Sequence, residues 1–563
     1  MRFEIKTIET DVLIIGGGTA GCFCALTISE QSDLNVVITD KAHIKRSGCL
    51  AAGVNALNAY IGKGETPESF VDYVRGDSEG VIREDLVYTI AQRLNKVARR
   101  LEELGVPILK DQNGEYVQRG PRSVKINGEN IKPLLAEAVL DKDNINVLNH
   151  VNIVDYLVKD GAVVGAVGFS LKDNRIYEIY AKKTVCATGG AAGLYKPNNP
   201  AFSRHKMWYS PFNTGAGYAM GVRAGAEMTT FEMRFIALRC KDTIAPTGTI
   251  SQGINTVQVN AKGEEYVGKY GEPTTYMRLY ATVMENLKGN GPCFLKTRGI
   301  TREQQNELIK AYLNMAPAQA LKWVEMNSGP AEENVEIEGT EPYIVGGHAA
   351  SGYWVDADRR TTIQNLYAIG DVAGGSPKKY VTGCLAEGEI AAMSILETIK
   401  EGHIVRLNRD EISRKSKDIL HFFSNEPPLY TIEEVEGAMQ KVMDEYAGGI
   451  SMAYIYNNAK LAIAAKRIEE LLTIVEALKA ESVHELLSIF EIIDRLFVCK
   501  VLIKHLEARQ ETRWRCYQEN GDYPQKDDDR WMKYVNSVYK DGEVEILLRD
   551  LVGRDETYEH PSQ

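Results

Sequence analysis

A strand, a glycine turn and a helix follow one another within the first thirty residues, and few folds accept that order. Residues 11–15 (DVLII) form a nearly continuous β-branched run, the pattern of a strand buried on both faces of a parallel sheet. GGGTAG follows at once, so Gly16, Gly18 and Gly21 fit G-x-G-x-x-G ahead of a helix running to about Ser29. A second strand, 35–39 (NVVIT), ends on Asp40, nineteen residues after Gly21. In such a unit the first glycine makes the tight turn, the second lets the backbone approach a pyrophosphate, and the third packs helix on strand. The helix N-terminus offers free N–H groups, and the acid accepts from a ribose hydroxyl. An α/β chain with a Rossmann-like dinucleotide-binding domain is therefore expected.

Further along, 153–185 reads as a hairpin-like stretch with turn signals at Lys159-Asp160-Gly161 and Lys172-Asp173-Asn174. It ends in Ala187-Thr188-Gly189-Gly190. The segment 228–345 is rich in turns, lacks the strand-glycine-helix order, and reads as an inserted α+β capping domain. Residues 360–371 read as strand-turn-strand ending on Gly370-Asp371, followed by a helix beginning near Leu385. Beyond about 405 come long amphipathic helices with few glycines. Thr431 with Glu434, and Ser482 with Glu485, form two capping boxes, and a stripe from Leu486 to Phe497 recurs at helical spacing. The expected division is a dinucleotide-binding domain in two parts (1–227 and 346–404), the capping domain at 228–345, a helical domain at 405–510 and a C-terminal arm at 511–563.

Composition removes several function classes. The 563 residues carry 77 Asp and Glu against 66 Lys and Arg, a net charge of -11, which argues against a nucleic-acid binder or a protein held on anionic membranes. Any anionic substrate must meet a local cluster of cations. Nine cysteines stand with no CxxC pairing, so a disulfide framework, a structural zinc site and an iron-sulfur cluster held by this chain are not expected. With no apolar run of membrane length and no leader pattern at the N-terminus, the expectation is a cytoplasmic protein without stable membrane insertion.

Three separated pieces choose among dinucleotides: the motif at 16–21, ATGG at 187–190, and TTIQNLYAIGD at 361–371. A nicotinamide domain is normally one block, whereas here a second Gly-Asp pair arrives far downstream. That split arrangement resembles the FAD-binding flavoproteins related to fumarate reductase and succinate dehydrogenase, in which the late acid, here Asp371, reaches the ribityl or pyrophosphate part of FAD. ETRW at 511–514 with Asp522-Tyr523-Pro524 is similar to the C-terminal arm of that superfamily. The dicarboxylate members fit less well. Where they carry His-Pro-Thr this chain reads EMRFIALRCKD (232–242), and where they carry Arg-Gly-Glu-Gly-Gly it has Gln252-Gly253-Ile254-Asn255. Their flavin-linking histidine has no counterpart beside Ser47-Gly48-Cys49, so FAD is expected to be bound noncovalently.

Over nearly the whole length the chain resembles the flavoprotein (alpha) subunits of adenylylsulfate (APS) reductases. The resemblance rests on KRSG at 45–48, ALNAYI at 56–61, REDLV at 83–87, INGE at 126–129, AVGFS at 166–170, EPYI at 341–344 and MDEYA at 443–447, with Arg234, Arg239 and Lys241-Asp242. It implies reduction of adenylylsulfate to sulfite and AMP, by attack of the reduced flavin N5 on sulfur and release of sulfite from the adduct. Its alternative is a dicarboxylate oxidoreductase of the same superfamily.

The resemblance places Gly16, Gly18, Gly21, Asp40, Lys41, Ser47, Gly48, Ala187, Thr188, Gly189 and Asp371 around FAD. It implies Arg239 and Arg278 as fixed charges for the substrate oxyanions, for which a permanently charged, forked guanidinium is suited. His348, in EPYIVGGH, matches an active-site histidine, neutral or protonated with a pKa near working pH. Asn58, Glu129 and Trp208 match positions near flavin and substrate, and Gln252 replaces one apolar pocket position. Taken alone, Asn58 and Glu129 could equally be turn or capping residues and Trp208 plain core packing, while a single arginine is alternatively a surface ion pair and an isolated histidine a satisfied structural group. Cys49 and Cys384 are expected in loops facing the flavin, as packing residues. Because the chain holds no electron wire, a ferredoxin-like iron-sulfur beta subunit is the implied partner, docking on the aromatic arm (Trp514, Tyr517, Tyr523, Trp531, Tyr534).

Overall fold

The sheet that carries the N-terminal strand is assembled from distant parts of the chain. The computed structural model describes residues 3–400, 403–424 and 426–560. Strand β1 (Glu4–Ile15) lies between β2 (Val36–Asp40), with β3 (Ile145–Asn149) beyond it, and β6 (Arg175–Cys186), all parallel. Val12 to Ile15 are almost fully buried, as a strand covered on both faces must be. The far side of β6 is shared. Antiparallel β5 (Ala162–Ser170) pairs along its first half and β4 (Val151–Lys159) pairs with β5, so the two expected turns produce a three-stranded meander. Along its last residues β6 pairs instead with parallel β7 (Leu366–Ala368), which delivers Gly370-Asp371 to the end of the sheet that carries the glycine turn.

Helix α1 (Thr19–Gln31) packs against α2 (Tyr380–Thr398), and a Cβ on Gly388 would lie 2.7 Å from the Ala20 carbonyl, so a bare glycine is what permits the crossing. α2 starts at Tyr380, five residues before the expected Leu385. Gly383 and Cys384 belong to its first turns, where Gly383 packs closely on Lys379 instead of breaking the helix. Cys384 is thus helical, not in a loop.

Between the two parts of this unit, strands Leu238–Cys240, Val335–Gly339, Cys293–Leu295 and Gln258–Val259 form a separate antiparallel sheet. Helices Thr275–Leu287, Arg302–Met315 and Pro317–Met326 accompany it, around a core that includes Ile250, Leu308, Tyr312 and Ile337. The capping segment therefore folds as an α+β unit.

Both capping boxes form, at Thr431/Glu434 and Ser482/Glu485. The second opens α3 (Val483–Ala508), which runs so deep that Asp494, Arg495, Lys500 and His505 are buried along with its apolar residues. The C-terminal strands Lys533–Lys540 and Glu543–Asp550 form a hairpin that pairs with Met228–Thr229 and, through it, Gly352–Tyr353.

The arm's aromatics do not form a surface. Trp514, Tyr517, Trp531 and Tyr534 are each at most 3% exposed, and only Tyr523 reaches 37%. The Trp514 indole donates to Ser78 O (2.7 Å) and the Tyr534 hydroxyl to Ile82 O (2.6 Å), so these rings hold the arm down on the chain itself. The docking surface expected at those residues is corrected accordingly. Buried Arg234 completes the join. It donates to the carbonyls of Ala447, Gly448, Tyr454, Cys516 and Tyr517 and to the Tyr195 hydroxyl, tying the cap's root to the helical unit and the arm. Among the described residues no helix is long and apolar enough to cross a membrane.

Candidate active site

A cavity of about 530 Å³ opens where β1, β2 and β6 end, and Gly16, Gly18, Asp40, Lys41, Ser47, Gly48, Ala187, Thr188, Gly189 and Asp371 all line it. The three motif glycines have different reasons to be bare. Gly16 has φ +107°, and a Cβ there would sit 2.4 Å from Ala187 O; one on Gly21, behind the cavity, would meet Gly16 O at 2.0 Å. A Cβ on Gly18 would meet nothing closer than 4.0 Å, so only an occupant of the cavity gives that position a reason to lack a side chain. No side chain caps the α1 N-terminus, whose N–H groups and dipole remain available to an anion. Two buried cavity hydroxyls, Thr39 Oγ1 and Thr214 Oγ1, have no protein partner. These features fit a dinucleotide with its pyrophosphate on the glycine turn.

The acids of this cavity are held firmly. Asp40 accepts from the Gly17 and Ala42 N–H groups (3.1 and 2.8 Å) and from Ser47 Oγ (2.6 Å), so Ser47 orients the acid expected at the ribose. Asp371 accepts from the Tyr209 hydroxyl (2.7 Å) and the Cys384 thiol (3.5 Å), and Tyr209 in turn accepts from the Gly190 N–H. Lys41 points away from the ribose side to Glu491 on α3 (2.7 Å) and Phe212 O, which clasps the cofactor loop to the helical unit.

Trp208 joins the cavity to an aromatic cluster around His348. It lines the cavity and packs against Phe235 (4.9 Å between ring centroids) and edge-on against His348 (5.0 Å). His348 is also flanked by Phe235 (4.7 Å) and Tyr380 (5.1 Å), and its Nδ1 is buried without a partner. Burial pushes its pKa down to about 4; Asp371 opposes the shift and Lys378 adds to it. Burial therefore favours the neutral ring at physiological pH, in place of the expected pKa near working pH. Lys378 and Tyr380 both hold positive φ (61° and 49°), strain of the kind that concentrates at functional sites. Lys378 pairs with Asp77, and half-buried Arg278 lies in the field of the same Asp77 while its Nε donates to Pro273 O (3.1 Å).

The remaining candidates are placed less centrally. Arg239 is fully buried behind Trp208, bonded to Lys206 O (2.8 Å), Thr243 O and Glu338 (3.1 Å), with only its Nε unpartnered. Asn58 turns its Oδ1 to Arg119 (2.8 Å) and Ser123 (2.9 Å), leaving its NH2 end to offer. Glu129 is exposed at the rim, where its backbone carbonyl accepts from Arg46 (3.5 Å). Gln252 is exposed at the end of the short helix Gly248–Ser251 and is not among the cavity residues; the cap's contribution to that wall is Ile244. Ile244, Tyr209, Tyr380 and Lys378 went unnoticed in the sequence. The only local hint was Gly-Asp at 370–371, which required some donor to face Asp371.

Comparison with known proteins agrees with this geometry. The FAD binding domain family matches residues 11–384, and the fumarate reductase flavoprotein C-terminal family matches 436–559. The chain is 28% identical to the adenylylsulfate reductase subunit alpha of Megalodesulfovibrio gigas, over 96% of this chain and 95% of that one. A structure of adenylylsulfate reductase from Archaeoglobus fulgidus superposes with a TM-score of 0.92 at 31% identity, covering 99% of this chain and 98% of the other. The same values hold for an adenosine-5-phosphosulfate reductase in covalent adduct with sulfite.

Proposed function

The chain belongs to the FAD-binding flavoproteins and, within them, to the adenylylsulfate reductases, and from that premise we propose that it is the catalytic flavoprotein subunit reducing adenylylsulfate to sulfite and AMP. The observation that carries the reading is Trp208, one ring shared between the dinucleotide cavity and the aromatic cluster around His348. In this reading a planar group bound in the cavity and a nucleotide on the His348 side meet at that ring.

FAD, when bound, supplies the electron pair that reduces sulfur. The chain's own residues do the rest. Asp40, Ser47 and the α1 N-terminus hold the dinucleotide, and Tyr209 fixes Asp371 against it. Neutral His348 donates one N–H to a substrate or product oxygen without adding charge. Arg278 and Lys378, which share Asp77 as an acidic neighbour, are the cations on the His348 side that an anhydride of phosphate and sulfate with its several anionic oxygens would meet. Trp208, Phe235 and Tyr380 make the surroundings of His348 apolar, which strengthens charge interactions there.

Electrons arrive from outside the chain, since all nine cysteines are free and dispersed. A small ferredoxin-like subunit carrying iron-sulfur clusters is the partner this reading requires. With four of the five arm aromatics buried, those rings do not supply its docking face. The test is turnover of the FAD-loaded protein with dithionite-reduced viologen, offered adenylylsulfate and fumarate separately. Formation of sulfite and AMP from the first is expected; fumarate reduction without sulfite formation would return the chain to the dicarboxylate reading.

A further inference from the structure

Buried arginines in this protein come with their charge accounted for. Arg83 pairs with Asp85, Arg359 with Glu387, Arg509 with Glu232 and Arg513 with Glu511, while Arg234 is surrounded by five carbonyls. Arg119 departs from that rule. The residue is half-buried with its Nε fully enclosed, yet among the described residues no carboxylate pairs with it. The charged or ionisable groups in its field are the phenols of Tyr380 and Tyr312. Its protein partners are two neutral amide oxygens, Asn55 Oδ1 (3.3 Å) and Asn58 Oδ1 (2.8 Å), and its Nε–H is buried with no acceptor. A guanidinium does not deprotonate in proteins and carries five N–H donors, so a full positive charge and three donors remain uncommitted.

Arg119 stands in a functional place. Its backbone N–H bonds to Ser123 O in the strand pair that carries Asn58, and the Asn58 carbonyl accepts from Thr382 in the same first turn of α2 as Tyr380. Tyr380 is the ring that contacts His348. Tyr312 belongs to the capping helix Arg302–Met315, so Arg119 lies where the cap closes on the dinucleotide-binding unit. Burying a charge with incomplete hydrogen bonding is unfavourable, and Asn55 and Asn58 orient the guanidinium without neutralising it.

We propose that Arg119 is a substrate-binding residue, presented by Asn55 and Asn58 at the boundary with the cap, whose missing counter-ion is an anionic oxygen of the nucleotide's phosphate or its sulfate ester. The assignment rests on the adenylylsulfate reading. It gives Asn58 an indirect task, holding the arginine through Oδ1, in place of direct contact through that oxygen.

The test compares wild type, Arg119→Gln and Arg119→Met, each FAD-loaded, in three measurements: KM and kcat for adenylylsulfate, AMP affinity by calorimetric titration, and Tm without nucleotide. Loss of a charge-assisted contact predicts KM and the AMP Kd rising about 10- to 100-fold with a much smaller change in kcat. Tm should hold or rise, because the uncompensated charge is removed; a purely structural arginine would lower it. Unchanged KM and AMP Kd in a variant that binds FAD overturn the proposal and leave the reductase reading standing. A fall in Tm with unchanged KM also overturns it. Should either variant fail to retain FAD, the other carries the comparison, and failure of both shows that Arg119 is structural. Absence of adenylylsulfate turnover and of AMP binding in wild type overturns both readings together.

Discussion

Replacing Arg234 by Met tests whether the three parts of the molecule are joined at the point the structure indicates. The guanidinium makes six hydrogen bonds of 2.6 to 3.3 Å, five of them to carbonyls. Ala447 O keeps a second donor in Tyr195. The carbonyls of Gly448, Cys516 and Tyr517 accept from nothing else among the described residues. Each buried acceptor left bare costs about 1–3 kcal/mol, so three of them cost about 3–9 kcal/mol, and partial relaxation brings the expectation to about 4 kcal/mol. For a cooperative unit of 150–250 residues that lowers Tm by roughly 8–16 °C. Scanning calorimetry reads it directly. Arg234→Lys, with three donors in place of five, should fall between. A Tm for Arg234→Met within about 2 °C of wild type would refute the reasoning, because it would mean that water or local shifts satisfy those carbonyls as well as the arginine does. Since Phe235 follows directly and packs on His348, the destabilised variant should also lose activity below its melting transition.

The remaining expectations concern the site. His348, with its pKa lowered to about 4, stays neutral as the pH falls from 6.5, while the unfolded chain takes up a proton there. Stability is therefore lost on the acid side and unchanged by this residue above about pH 6.5; by linkage the loss at pH 5 is about 2 kcal/mol. Denaturant titrations at pH 7.5 and 5.0 should show a smaller acid-side loss in His348→Gln, and equal losses would contradict the buried neutral ring. Gly18→Ala should fold with a near-normal Tm but lose FAD, since only the cavity meets the added Cβ. Gly21→Ala, which collides with Gly16 O, should lose both, as absorbance ratio and Tm together would reveal. Tyr209→Phe removes a donor from Asp371 and an acceptor from Gly190, and should weaken FAD retention by about 10-fold in equilibrium dialysis.

What could be read from the sequence was what is encoded locally. The glycine turn, the acid at position 40, the two turns of the meander and both capping boxes depend on residues within a few positions of one another, and each is where the pattern places it. Tyr209, Tyr380, Ile244 and Arg119 meet their partners through approaches between segments more than thirty residues apart, and no local periodicity marks them. The arm's aromatics show a different limit. Trp514 and Tyr534 have the composition of an interface, but the same rings fill a core, and only their bonds to Ser78 and Ile82 distinguish the two. The charge state of His348 was likewise out of reach, because Phe235, Trp208 and Tyr380 come from three different stretches of chain.

The order in which the sheet is completed bears on how the protein is made. The glycine turn emerges at residue 16, but β7 and Asp371 arrive roughly 350 residues later, and the strand that pairs with Met228–Thr229 comes after residue 530. At ribosomal rates of about 5–20 residues per second, the first half of the cofactor cavity waits roughly 20–70 seconds for the second. During that interval β6 has an unpaired edge at Thr184–Cys186 and the faces later covered by α2 and α3 are bare. The cavity is complete only after translation has passed Asp371, so enclosure of FAD is a late event in biogenesis.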